Sequence, residues 1–243
     1  MAATPSSVQH WRDRPIGFWL LHIGLPTVLL AASLTAGYLG GEVARMVLNP
    51  QTGIQETVTG LITFASAAIV AVVLARTAGA LDWPLKIWLA LFIAAMVFFA
   101  GEDLNWGQHY FGWTPSDYFL EHNRENETNL HNMWPLLFNR LPRALVTTWL
   151  VVACLLVPLG GQFLVRLLRG FVPEVLWPDR RLMFPAGLVF VFKGLRHLSS
   201  QSGDANWLLT IRHSEVEELL IACVLLFYAL MLRERLKTPA VGA

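Results

Sequence analysis

Long apolar stretches separated by shorter polar segments dominate the chain. About 20 apolar residues cross the hydrocarbon layer of a bilayer as one helix. The pattern predicts about six transmembrane helices, at Phe18–Leu39, Val58–Ala75, Leu85–Ala100, Leu145–Leu168, Leu182–Leu195 and Leu219–Leu232. Pro158 and Gly160 predict a bend or an early end in the fourth span, and Pro185 predicts that the short fifth span is tilted or broken.

The predicted fold class is therefore all-α: a polytopic membrane helical bundle with a polar, partly helical loop between the third and fourth spans. Composition agrees, because 55% of the residues are hydrophobic and 14% are charged, whereas a soluble domain carries about 25% charged residues. We expect one integral membrane domain over residues 1–243, with disordered tails at 1–9 and 238–243. The first apolar run exceeds the core of a signal peptide, so we expect a retained span.

Charge and cysteine content narrow the range of partners. The formal net charge is only +1, and the chain has no basic stripe of the kind that binds nucleic acid. The chain contains no P-loop and no dinucleotide fingerprint, so we expect no nucleotide cofactor. Cys154 and Cys223 lie inside apolar runs and are predicted to pack in the core. Membrane lipids and a larger membrane protein complex are the expected partners.

The distribution of Lys and Arg predicts the orientation. With six spans the two termini share a side, and eleven of the 18 basic residues fall on that side. We expect a protein of a bacterial inner membrane with both termini on the cytoplasmic side. The connections Gly101–Arg143 and Arg196–Glu218 then share the extracytoplasmic face, where residues distant in sequence can meet.

Two Glu/His pairs in these connections are candidate metal ligands. Glu127 and His131 are four residues apart, and His213 and Glu217 repeat the spacing in reverse order. Four residues on a helix place two side chains on one face. Carboxylate oxygens and imidazole nitrogens without sulfur suit a divalent ion such as zinc or iron. A surface hydrogen bond within each pair is the competing interpretation.

Acidic residues directly after the third span are candidate catalytic groups. Glu102 and Asp103 adjoin the apolar run, and a continued helix would place Glu102, Asn105 and His109 on one stripe. Adjacent carboxylates repel, so one of them can serve as an acid or a base. We predict that Glu102 or Asp103 transfers protons and that His109 orients the substrate. The alternative is a solvated helix cap.

Further polar and aromatic residues surround these candidates. Asparagines recur every third residue from Asn123 to Asn132, which predicts either an inward-facing polar ridge or a solvated helix. The aromatic residues Trp106, Tyr110, Phe111 and Trp113 form either an interfacial belt or a wall that contacts lipid.

The chain resembles a family of bacterial polytopic membrane proteins whose shared core is E-[ED]-x-x-W-G-Q, then N-E-T-N-L-H-N, then paired acids at the last span. Here these motifs are residues 102–108, residues 126–132 and Glu217-Glu218. A looser likeness is to the alkaline-ceramidase group of membrane hydrolases, whose H-x-x-x-H motif helps to hold zinc. His213-x-x-x-Glu217 stands in its place, and one span fewer is present. This likeness implies a metal site at the membrane face.

These observations predict a membrane-embedded, metal-dependent enzyme, a hydrolase that acts on a lipid or lipid-linked substrate at the extracytoplasmic face. The bound ion would activate a water and polarise the scissile group. Di-iron oxidation is an alternative chemistry, since Glu and His at helical spacing also build carboxylate-bridged iron sites. A non-catalytic accessory subunit of a membrane complex and a small transporter are the alternative functions.

Overall fold

The computed structural model describes residues 14–160, 162–168, 172–201, 211 and 213–237, and the predicted tails lie outside these ranges. Within them the chain is helical and contains no strand. The helices are α1 (Ile16–Leu39), α2 (Gly41–Leu48), α3 (Ile54–Thr77), α4 (Trp83–Asp103), α5 (Gln108–Phe111), α6 (Asp117–His122), α7 (Leu136–Gly160), α8 (Gln162–Leu168), α9 (Met183–Gln201) and α10 (His213–Lys237).

Among the described residues, four helices are long and apolar enough to cross a membrane: α1, α3, α4 and α7. The predicted all-α class is thus confirmed for this part of the chain, and these four helices are consistent with an integral membrane protein, whereas the count of six spans stays a prediction. The other two predicted spans correspond to α9 and α10, which are helical but carry more charge. Lys193 and Arg196 lie in α9, acidic residues occupy the start of α10, and both basic and acidic residues occupy its end.

The last helix, α10, lies at the centre of the bundle. Nearly every residue from Val216 to Leu232 is buried, on all sides of the helix. A helix that is apolar all round must be enclosed by other helices or by lipid, and α10 packs against α1, α3 and α9. Neighbouring helices therefore provide most of the apolar surroundings of α10.

Proline and glycine shape the fourth and fifth predicted spans. The fourth span begins at Leu136, earlier than predicted, and ends at Gly160, where φ is +140°. Wide π-helical turns interrupt its α-helical geometry over Leu136–Arg140 and Leu150–Leu156. In α9 the helix continues past Pro185, because that proline lies in the first turn, where no backbone hydrogen bond is lost. The predicted break in this helix is thus absent.

Ion pairs and hydrogen bonds tie the two ends of the bundle together. At one end Arg143 Nη2 of α7 lies 2.6 Å from Glu218 Oε1 of α10. At the other end Arg181 contacts Asp179 and Glu234 at 2.9 Å and 2.7 Å. The first contact joins the last residues of the Gly101–Arg143 and Arg196–Glu218 connections.

Because α10 lies at the centre of the bundle, shortening a buried side chain of this helix should lower the stability of the protein strongly. Leu220 is fully buried, so Leu220→Ala should lower the free energy of unfolding in detergent by about 2–5 kcal/mol. Leu91 on α4 is 59% exposed to the surroundings of the protein, and Leu91→Ala is the matched control with a smaller expected loss. Equal losses for the two variants would contradict the central position of α10.

Candidate functional site

The site begins where α4 ends. Glu102 and Asp103 occupy the last turn of α4, and the next residues leave the helix, with φ of +50° at Asn105 and +54° at Trp106. Gly107 also has a positive φ, of +92°, a conformation that glycine adopts without steric cost. The predicted helical stripe of Glu102, Asn105 and His109 is therefore wrong. The break turns the chain back so that residues 105–109 face the following loop.

Glu102 holds that loop. Its Oε2 accepts hydrogen bonds from the backbone N–H groups of Leu130 and His131, at 2.7 Å and 2.8 Å. Its Oε1 accepts a hydrogen bond of 2.8 Å from the Trp106 indole. The His131 ring adds a further contact, with Nδ1 at 3.5 Å from Oε2. A carboxylate buried with three N–H donors is a structural anchor as well as a chemical group.

Residues 123–134 form an ordered loop without regular helix. The helical spacing predicted for Glu127 and His131 is therefore wrong. Asparagine side chains make hydrogen bonds that compete with helix formation. Asn123 Nδ2 donates to the backbone oxygen and the side-chain oxygen of Asn129, at 3.0 Å and 2.9 Å. Asn126 has a φ of +55°, which a helix does not allow. Of the four asparagines in the predicted inward-facing ridge, Asn123 and Asn129 are buried but Asn126 is exposed, so the ridge forms only in part, and a loop forms it.

Glu127 is the second buried carboxylate of the loop. Its Oε1 lies 3.2 Å from His109 Nε2. Its Oε2 accepts hydrogen bonds from Asn129 and Asn132, at 2.9 Å and 3.2 Å. His109 thus pairs with Glu127, and His131 pairs with Glu102. The structure joins His109 and His131 each to a carboxylate, but in combinations that the sequence spacing did not predict.

Two amide side chains that were not predicted as central join the segments. Gln108 accepts a hydrogen bond of 2.6 Å from the Thr128 backbone and donates one of 3.3 Å to the Asn126 carbonyl. The fully buried Asn129 donates to the Asn105 side chain. Most of these residues belong to the W-G-Q and N-E-T-N motifs. The position of these polar motifs next to apolar spans was the one signal in the sequence that could have identified them.

A second polar layer lies beneath the loop, at the start of α10. Asp103 and Glu218 both belong to this layer, and Glu218 pairs with Arg143. Glu217 is paired with Lys193 at 3.1 Å and lies 3.7 Å from Arg196. His213 and Glu217 do lie four apart on one helix, as predicted. The His213 ring packs against Phe192, with 5.3 Å between the ring centroids.

The predicted metal ligands therefore engage separate partners. Glu127 binds His109 and two asparagines, His131 faces Glu102, and Glu217 is paired with Lys193. Among the residues that the structure describes, no group of three or more His, Cys, Asp or Glu side chains is arranged to hold a metal ion. The donor set predicted from the sequence does not fit a metal in this arrangement.

An elongated cavity of about 890 Å³ joins the polar layers to the interior of the bundle. Its polar end includes Glu102, Asp103, Glu127, His131, Asn132, Arg143, Glu217 and Glu218. From there it runs between α4, α7 and α10, along Phe92, Phe99, Trp149, Leu225 and Tyr228. Residues from both predicted connections therefore line one cavity, as expected, although His213 does not line it.

Comparisons with protein-family models, with curated proteins and with solved structures find no match to this chain. The resemblance inferred from the motifs stays a prediction.

The anchoring role of Glu102 predicts a local effect on backbone protection. Hydrogen bonds from backbone amides to a charged acceptor contribute about 1.5–3 kcal/mol. Glu102→Gln should therefore speed hydrogen exchange at the Leu130 and His131 amides by about 10- to 100-fold, measured by mass spectrometry.

Glu121→Gln is the matched control, because Glu121 is exposed on α6 in the same loop region. It should leave exchange at residues 130 and 131 unchanged. Unchanged protection in Glu102→Gln would show that the carboxylate does not hold the loop.

Proposed function

We propose that the protein is a membrane-embedded enzyme that binds a lipid or lipid-linked substrate in the elongated cavity and hydrolyses a bond near its head group. The observation that carries this proposal is the shape and lining of the cavity. One end is rich in carboxylate, amide and imidazole groups, and the remainder is an apolar channel between helices. An amphipathic molecule with a polar head and an apolar chain matches that division.

The apolar part of the cavity supports lipid binding. Phe92, Phe99 and Leu225 come from helices that face each other across it. Ligand sites in proteins occupy about 300–1,000 Å³ and are lined mainly by apolar and aromatic side chains, and this cavity has about 890 Å³. The channel lies between α4 and α7, two helices with membrane-spanning composition. A lipid can therefore approach it from within the bilayer.

The His131–Glu102 pair supports acid–base chemistry at the polar end. Nδ1 of His131 faces the Glu102 carboxylate at 3.5 Å, and His131 also lines the cavity. A carboxylate orients an imidazole so that its other nitrogen, Nε2, can take a proton. In the proposed step Nε2 of His131 removes a proton from water, and the water oxygen attacks the scissile carbonyl or phosphoryl centre.

The Asp103 and Glu218 carboxyls complete the proton balance. Both line the cavity, and Asp103 Oδ2 is buried without a hydrogen-bond partner among the described residues. A buried carboxyl oxygen without a partner favours the protonated, neutral form of the group, because burial of a charge is costly. In the proposed step that proton passes to the oxygen of the leaving group as its bond to the reaction centre breaks. His131 then returns its proton to the carboxyl pair, directly or through water.

The proposal uses no metal ion, because the predicted ligands are already bound to other partners. Glu127 and His109 serve instead to hold the loop, and Glu217 serves to hold α9 against α10. The extracytoplasmic location of the polar end remains part of the proposal. It follows from the distribution of Lys and Arg across the predicted connections.

Blocking the channel should remove bound lipid. Val152 lines the cavity, whereas its neighbour Val151 does not. Val152→Trp should abolish the lipid that remains on the purified protein in native mass spectrometry, since the indole would fill the channel. Val151→Trp adds the same bulk to the same turn and should retain lipid. Equal lipid retention in both variants would contradict the proposed binding site.

Removing the imidazole should remove turnover while binding persists. A bacterial polar lipid extract, incubated with the protein in nanodiscs, is the probe, and mass spectrometry detects hydrolysis products. We expect His131→Gln to slow product formation by about 10²–10⁴-fold, the usual contribution of a general base.

His122→Gln is the control, because His122 is exposed and its Nδ1 contacts the Tyr118 carbonyl of its own helix. This variant should keep full turnover. The proposed chemistry would be wrong if His131→Gln formed products at the normal rate. If the unmodified protein binds lipid but forms no product, the proposed hydrolase activity is wrong and the proposed lipid binding stands.

A further inference from the structure

The elongated cavity reaches the outer surface of the bundle between α4 and α7. These two helices pack against different partners, α4 against α3 and α7 against α9, and direct contacts between α4 and α7 are few. Trp88 of α4 and Leu145 of α7 line the cavity, and these side chains are 47% and 63% exposed. The gap between α4 and α7 is therefore a route from the bilayer into the cavity.

One aromatic contact crosses this gap close to the polar end. Phe98 of α4 and Phe138 of α7 both line the cavity, and their ring centroids are 5.8 Å apart. Phe98 lies one helical turn before Glu102, so the contact is at the level of the buried carboxylates. Trp106 packs on Phe98 at 6.4 Å, and Trp134 packs on Phe138 at 6.0 Å. Four rings thus form a row across the gap.

The turn that carries Phe138 has the features of a hinge. It is the wide π-helical turn Leu136–Arg140 at the start of α7. Pro142 follows this turn, and because proline has no backbone N–H it cannot donate to the Phe138 carbonyl four residues earlier. Turns of this kind within helices occur frequently at functional sites. One α-helical hydrogen bond is therefore missing at the residue that closes the gap.

Polar contacts fix the chain on both sides of this hinge. Before it, the Glu102 carboxylate accepts a hydrogen bond of 2.8 Å from the His131 backbone. After it, Arg143 lies 2.6 Å from Glu218. We call residues 133–142, between these two anchors, the lid segment. The facing helix, α4, packs against α3. Movement of the lid segment relative to α4 can therefore separate the two phenylalanine rings while both anchors hold.

We propose that the lid segment is a gate that admits the substrate head group from the bilayer, and that the Phe98–Phe138 contact closes it. This inference rests on the proposed function, because it requires a lipid or lipid-linked substrate in the elongated cavity. When the rings separate, the head group passes between α4 and α7 toward His131, and the apolar chain follows it into the channel. The rings then meet again and shield the reaction from the surroundings, as lids of enzymes do.

The rate of lipid exchange tests the gate without any turnover. Purified protein that retains lipid is mixed with an excess of deuterated bacterial polar lipids, and native mass spectrometry follows the mass of the bound lipid over time. Phe98→Ala and Phe138→Ala should each speed exchange by about 2- to 10-fold, as expected for the loss of one aromatic pair. The double variant should be no faster than the single variants, because all three lack the same contact.

Phe64→Ala is the matched control, because Phe64 lies on α3, is 38% exposed and does not line the cavity. This variant should exchange lipid at the unmodified rate. In the Phe98 and Phe138 variants the amount of lipid bound at equilibrium should change less than the exchange rate. The reason is that a gate alters the rate of passage in both directions.

A crosslink should give the opposite change. In Phe98→Cys/Phe138→Cys, a short bismaleimide that contains a disulfide joins the two thiols across the gap. The crosslinked protein should stop exchanging lipid until the disulfide of the linker is reduced. Each single-cysteine variant, treated with the same reagent, controls for reaction at the buried Cys154 and Cys223.

The outcomes separate the gate from the proposed function. Unchanged exchange in Phe98→Ala and Phe138→Ala, or free exchange in the crosslinked protein, would overturn the gate while the bound lipid still supports the cavity as a lipid site. Equal acceleration in Phe64→Ala would show general loosening of the bundle and would also overturn the gate. Lipid retention that Val152→Trp does not alter would remove the proposed binding site and this inference together.

Discussion

The anchoring of a polar loop by one buried carboxylate determines the arrangement of the candidate site. Glu102 lies in the last turn of a helix of membrane-spanning composition and accepts hydrogen bonds from the backbone N–H groups of Leu130 and His131. In the low-dielectric interior such charge-assisted hydrogen bonds are strong, and leaving the same donors unpaired is costly. The loop is therefore held where His131 lines the cavity. The carboxylate that fixes the loop is also the one that orients the imidazole.

The loop itself shows how a membrane protein can order a long polar segment without helix or sheet. Asparagine and glutamine side chains replace the missing backbone partners: Gln108 accepts from the Thr128 backbone N–H, and Asn123 donates to the Asn129 carbonyl. Buried polar groups need such partners because an unpaired group costs free energy. The charged side chains beneath the loop follow the same rule. Arg143 faces Glu218 and Lys193 faces Glu217, so α7 and α9 are tied to the start of α10.

Topology was the part of the site that the sequence could predict. Alternating long helices put the Gly101–Arg143 and Arg196–Glu218 connections at one end, and the Arg143–Glu218 contact agrees with that. The hydrogen-bond and ion-pair partners of the individual side chains were not predictable in the same way. The spacing of Glu127 and His131 suggested one helical face, but the left-handed backbone of Asn105, Trp106 and Asn126 depends on the tertiary hydrogen bonds of the loop. Local spacing contains no information about those distant partners.

For the fold, likewise, the sequence predicted the helices but not how they pack together. Apolar runs located the helices, since backbone groups in a membrane must be paired within the helix. They did not reveal that α10, with charged ends and a short apolar middle, is the most enclosed helix. Nor did they reveal the ring contact between Phe98 and Phe138, because the whole polar loop separates these two residues in the chain.

A density map of the protein in lipid nanodiscs, determined by electron cryomicroscopy, tests the central claim most directly. The account predicts elongated density between α4, α7 and α10, with its polar end within hydrogen-bonding distance of the His131 imidazole. A channel filled by protein side chains or by water alone, with ordered lipid only on the outer surface of the helices, would contradict it.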